Sequence, residues 1–129
     1  MGEAGASSIF KEIAREAERR GFKVEVEGNR LQAVSGELPI GVEVSVSGGE
    51  AVVRLYASGD LEEGVREYAE SEGIENVREA VEEVLETALA IVDYAARTAE
   101  AAGLRVKRDT RSTVFDVYEA IDAYEEETS

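Results

Sequence analysis

Cysteine, histidine and tryptophan are absent from this 129-residue chain, which holds a single proline and a single methionine. Without cysteine there is no disulfide framework, no thiolate zinc site and no thiol nucleophile. Without histidine the usual general base at neutral pH, the commonest metal ligand and the serine-histidine type of nucleophilic machinery are lost. Chemistry is left to carboxylates, Arg, Lys, Tyr, Ser and Thr. Basic residues are also few, 14 against 29 acidic ones for a net charge of -15, which argues against a nucleic-acid backbone or an anionic membrane as partner. The longest uninterrupted apolar run is Ala88 to Val92, far short of the roughly 20 residues of a membrane-spanning helix. No basic region followed by an apolar run opens the sequence. The expectation is a cytoplasmic protein with no nucleic-acid and no membrane partner. Glu outnumbers Asp, Arg outnumbers Lys, and the only amides are Asn29, Gln32 and Asn76, a balance like that of proteins from hot environments.

What is present is a long helical pattern. Val77, Val81, Val84, Ala88, Ile91, Ala95 and Ala102 recur at spacings of three and four, with Leu85, Leu89, Val92, Ala96 and Ala99 beside them, a wide apolar face. Asn76 with Glu79 supplies a capping-box start and Gly103 a stop. The segment is expected to form a central helix about 40 Å long on which the rest packs. Upstream, Ser7 or Ser8 is expected to cap a first helix bearing Ile9, Phe10, Ile13, Ala14 and Ala17 and ending at Gly21. Phe22, Val24 and Val26 alternate with charged residues as a strand, and Gly28-Asn29 turns into a second strand with Leu31, Ala33 and Ser35. Val42, Val44 and Val46 make a third. Gly48-Gly49 turns the chain into a fourth, where Val53 and Leu55 take one face and Val52, Arg54 and Tyr56 the other. Asp60 with Glu63 caps a short helix that Gly64 should weaken and Gly73 breaks. Leu104, Val106 and Arg108 fit a last short strand, and Ser112 or Thr113 a cap for a final helix with Val114, Val117, Tyr118, Ile121 and Tyr124.

The order α-ββββ-α-α-β-α predicts an α+β fold: two layers, an antiparallel sheet of about four to five strands with helices on one face. Residues 1–129 are expected to make a single domain, with 1–6 and 125–129 flexible. In arrangement this resembles small acidic secretion-chaperone-like α+β proteins, a likeness of fold from which function does not follow. Residues 14–24 also line up with 96–106 as helix, Gly and strand. The ordinary explanation, an alanine-rich helix stopped by Gly before a strand, is favoured over a duplication because nothing flanking extends the match.

No catalytic, cofactor-binding or metal-binding motif emerges. The carboxylates from Asp60 to Glu86 include helical pairs such as Glu79 with Glu83, but no calcium-binding loop accompanies them, and a solvated acidic face is the simpler reading. Asp93, Asp116 and Asp122 are candidates for a carboxylate pair doing acid-base work, the feature an enzyme reading would need. The basic island Arg105, Lys107, Arg108 and Arg111 stands out from the acidic background as an anion or partner contact, against internal pairing with glutamates. Val52, Arg54 and Tyr56 mark a strand face with no helix assigned to cover it, a candidate interface. The leading expectation is a non-enzymatic self-associating or protein-interaction domain, a homodimer. A small-ligand-binding or carboxylate-dependent enzyme domain, with its pocket between sheet and central helix, is the alternative, and an acidic mimic of nucleic acid a third reading.

Overall fold

The computed structural model describes residues 3–129, with side chains from residue 6 onward. The elements are α1 (Glu3–Arg19), β1 (Phe22–Glu27), β2 (Arg30–Ser35), β3 (Ile40–Ser47), β4 (Glu50–Ala57), α2 (Leu61–Glu72), α3 (Val77–Ala101), β5 (Arg105–Asp109) and α4 (Arg111–Thr128). The fold is α+β with a long central helix, as the periodicity predicts. The strands lie in chain order, β1-β2-β3-β4-β5. The first four meander antiparallel, but β5 pairs parallel to β4. The sheet is therefore mixed, a correction to the antiparallel expectation. Its cause is the crossover through α2 and α3, which returns the chain to the end of the sheet where β4 began, so that Arg105 N–H bonds the Gly49 carbonyl in the β3–β4 turn.

Alternation along the strands sends Phe22, Val24, Leu31, Ala33, Val42, Val44, Val53 and Leu55 to one face, where the helices bury all of them but Val24, which is half-buried. On that face α3 packs against β3, β4 and β5 and against each other helix, while β1 and β2 lie mainly under α1. Ala88, Ala95, Ala96 and Ala99 are fully buried on α3, so these small residues serve close intramolecular packing. Ile91 and Val92, midway along the helix, are equally buried.

The caps show where local signals suffice. Asp60 accepts from Glu63 N–H at 3.0 Å, and Asn76 accepts from Glu79 N–H at 3.1 Å, each satisfying an orphan donor at a helix start. Two other expected caps are wrong. Helix α1 already runs from Glu3, so Ser7 and Ser8 lie inside it; residues 1 and 2, part of the stretch expected to be flexible, lie outside the described residues. Helix α4 starts at Arg111 after Thr110, with no side-chain cap. Thr113 instead donates its hydroxyl to the Leu55 carbonyl at 2.9 Å, tying α4 to β4. At the far end α4 is helical through Thr128, with Glu125 and Glu127 held by Arg78 and Arg66.

Gly64 has a role that helix propensity does not reveal. A Cβ there would fall 2.6 Å from Pro39 Cγ, so the glycine admits the proline of the β2–β3 connection against α2. The matching segments 14–24 and 96–106 share one local solution, Gly21 and Gly103 stopping α1 and α3 at φ of +88° and +89°. Beyond the stop they diverge, since β1 pairs antiparallel and β5 parallel.

Candidate functional site

Because every helix packs on one side, the other face of the sheet is open. Strand register sets its outward side chains in rows: Lys23, Val34, Gly41 and Tyr56; then Glu25, Gln32, Glu43, Arg54 and Asp109; then Glu27, Arg30, Ser45, Val52 and Lys107; then Ser47, Glu50 and Arg105. Val52, Arg54 and Tyr56 are thus brought together as expected, half-buried among their neighbours.

The middle of this face is held in place by its own contacts. Tyr56 lies flat across Gly41, where a Cβ would come within 2.7 Å of the ring, so glycine makes room for the aromatic on the neighbouring strand. The Arg54 guanidinium sits 5.3 Å from the Tyr56 ring centroid, a cation–π distance. It also donates to Glu43 Oε1 at 3.3 Å, while Gln32 Nε2 donates to Glu43 Oε2 at 3.0 Å and Arg30 approaches at 3.9 Å. Burial pushes the Tyr56 phenol above its ordinary pKa, and the negative charge of Glu43 adds to the effect. Side chains fixed in this way lose less freedom on being covered than free ones would. Glu43, Gln32 and Gly41 escape sequence reading, since only the register puts them beside Arg54 and Tyr56.

No family model, no curated protein and no solved structure matches the chain. The expected likeness to secretion-chaperone-like proteins gains no support from these comparisons, and the site rests on its own geometry.

Charge on the open face is balanced. Its outward residues include five basic ones (Lys23, Arg30, Arg54, Arg105, Lys107) and five acidic ones (Glu25, Glu27, Glu43, Glu50, Asp109). The whole acidic excess of 15 therefore lies elsewhere, on helices, turns and loops. The basic island is split by the fold. Arg105 and Lys107 point outward on β5, Arg108 turns to the helix side and reaches Asp93 at 3.2 Å, and Arg111 stands exposed in the first turn of α4. The four do not share one cradle.

The carboxylate candidates are likewise dispersed. Asp93 bonds Arg97 at 3.0 Å as well as Arg108, Asp122 bonds Arg78 at 2.6 Å, and Asp116 is exposed. Two tyrosines on the helix side give their hydroxyls to acids at 2.7 Å, Tyr68 to Glu37 and Tyr118 to Glu82. Burial and the hydrogen bond to Glu37 push Tyr68 up to about 12. Among the described residues no three acidic side chains gather where they could hold a metal ion, and no helix is long and apolar enough to cross a membrane.

A groove of about 520 Å³ lies between α1 and the tips of the β1–β2 and β3–β4 hairpins. It is displaced from the space between sheet and α3, where the enzyme reading expects its pocket and where core side chains fill both layers.

Proposed function

We propose that this chain is a non-enzymatic self-associating domain, a homodimer whose copies meet through the open sheet face. The observation that carries the reading is the neutrality of that face on a protein of net charge -15. Two copies repel one another through any surface that shares the acidic excess, and least through the one that does not. Val34, Val52 and Tyr56 supply apolar contact there, and the Glu43–Arg54–Tyr56 cluster is already ordered. Turned about an axis along the strands, a second copy keeps each row over itself, so that Lys107 of β5 meets Glu27 of β1 while Asp109 meets Glu25, and the contact rests on its apolar middle rather than on ion pairs. Two sheets so stacked form a sandwich with about 10 Å between layers.

Magnitude limits the affinity. Five strands about 4.8 Å apart and about 20 Å long present about 480 Å² per copy, so the contact buries about 1,000 Å² in total, the low end for a specific interface. Contacts of that size belong to weak, transient complexes, so a dissociation constant in the micromolar range is the working expectation, which area by itself does not fix. Light scattering at about 100 μM, well above that constant, should give about twice the 13.9 kDa chain mass. Raising salt from about 0.05 M to about 0.5 M shortens screening to about 4 Å and should tighten the dimer, because the repulsion being screened is long-range. Val52→Asp places like charges at the contact and should leave a monomer with unchanged unfolding at dilute concentration. A wild-type monomer at both salts would sink the proposal. A dimer that loosens with salt would mean a contact held by ion pairs rather than by apolar surface, and would overturn the reading as well.

A further inference from the structure

The groove beside α1 is built from unlike parts, and their combination names a class of ligand. Its wall on the helix is one face of α1, with Phe10 and Lys11 as the large side chains, and its other wall is Val26 and Val46 with the two hairpin turns. Val46 and Phe10 are buried beneath it, but Val26 is 52% exposed although it points to the same side of β1 as the buried Phe22 and the half-buried Val24. Apolar surface is thus left open on the helix side of the sheet, away from the face proposed for self-association. Among the described residues Lys11 is the one charged side chain lining the groove, and there, like Arg15, Lys23, Arg105, Lys107 and Arg111, it takes no carboxylate partner. An apolar cleft whose single charge among the described residues is positive suits an apolar molecule with one negative end.

We propose that this groove binds a medium-chain carboxylate, its alkyl tail along Val26, Val46 and Phe10 and its carboxylate at Lys11 Nζ, with the Ser7 hydroxyl near enough on α1 to share the head group. The volume lies within the range of small-molecule sites. Self-association plays no part in the inference, which stands or falls separately from the dimer.

Decanoate, kept below its micellar concentration, is the probe, followed by calorimetry and by amide and methyl shifts in the full chain. Shifts should centre on Val26, Val46 and residues 6–14. Along hexanoate, octanoate and decanoate the affinity should rise by about fourfold per methylene. Lys11→Glu should weaken decanoate by about tenfold or more, the loss of a charge-assisted hydrogen bond, whereas Lys11→Arg should hold it within about threefold. Val26→Trp, which fills an open site instead of emptying a core one, should abolish binding while the unfolding midpoint is kept. Absence of binding, equal binding of decanol or decylammonium, or shifts centred elsewhere would overturn the proposal. So would a Val26→Trp chain that changes its oligomeric state, since the groove would then belong to a second copy.

Discussion

Truncating Ile91 to alanine tests the core of the architecture. Ile91 is fully buried at the middle of α3, the helix wedged between the sheet and the other helices. Removing three carbons forfeits about 0.8 kcal/mol each in transfer free energy, or about 2.4 kcal/mol. Ile91 itself is enclosed on every side, so its site has little room to close the gap, and if about 50 Å³ stays empty the cavity adds about 1.2 kcal/mol. The expected loss is about 3.5 kcal/mol, within the range of about 2–5 kcal/mol for such truncations. At about 2.1 cal/mol/K per residue this lowers Tm by about 13 °C. Urea unfolding followed by circular dichroism, at a concentration where the chain is monomeric, keeps dimer formation from adding its own stability. Leu89→Ala, on the partly exposed flank of the same helix, should cost clearly less. A loss under about 1 kcal/mol with unchanged m, or equal losses at both positions, would mean that the middle of α3 does not face the sheet.

Four further outcomes follow from local geometry. Gly64→Ala gains about 1 kcal/mol in helix propensity but drives a methyl into Pro39, a strain of about 1–3 kcal/mol; thermal melts should show net destabilisation. Asn76→Ala should cost about 1 kcal/mol through the lost cap on Glu79 N–H, read by denaturant midpoint. Tyr68 holds its proton more tightly folded, at about 12, than at its ordinary value of 10.0. Its stabilising contribution is therefore complete below pH 10 and lost as pH rises towards 12, and Tyr68→Phe should flatten that part of the stability curve. Chelator should leave Tm unchanged, because no histidine or cysteine is available and the carboxylates lack a coordinating loop; a fall of many degrees would return attention to the acids of α3.

What the sequence determines by itself is whatever depends on residues within a few positions of one another. The period of Val77 to Ala99 defines α3 and its buried face, because side chains three and four apart share one side of a helix whatever surrounds it. The Asp60 and Asn76 caps and the Gly48–Gly49 turn close over three or four residues, so their side chains and backbone freedom settle them locally. Strand alternation likewise separates Val52, Arg54 and Tyr56 from Val53 and Leu55. Other features depend on residues far apart, and only the tertiary structure decides them. Parallel pairing of β5 follows from where a 25-residue helix delivers the chain, which no local pattern encodes. Ser112 and Thr113 look alike as caps, but the Leu55 carbonyl claims Thr113. Gly64 reads as a flaw in a helix until Pro39 is beside it. The basic island is a single run in sequence, yet strand alternation and Asp93 on α3 send Arg108 away from Arg105 and Lys107. The balance of charge on the open face exists only once five strands are in register, because its ten charged residues, from Lys23 to Asp109, are gathered by long-range backbone hydrogen bonds that sequence distance does not foretell.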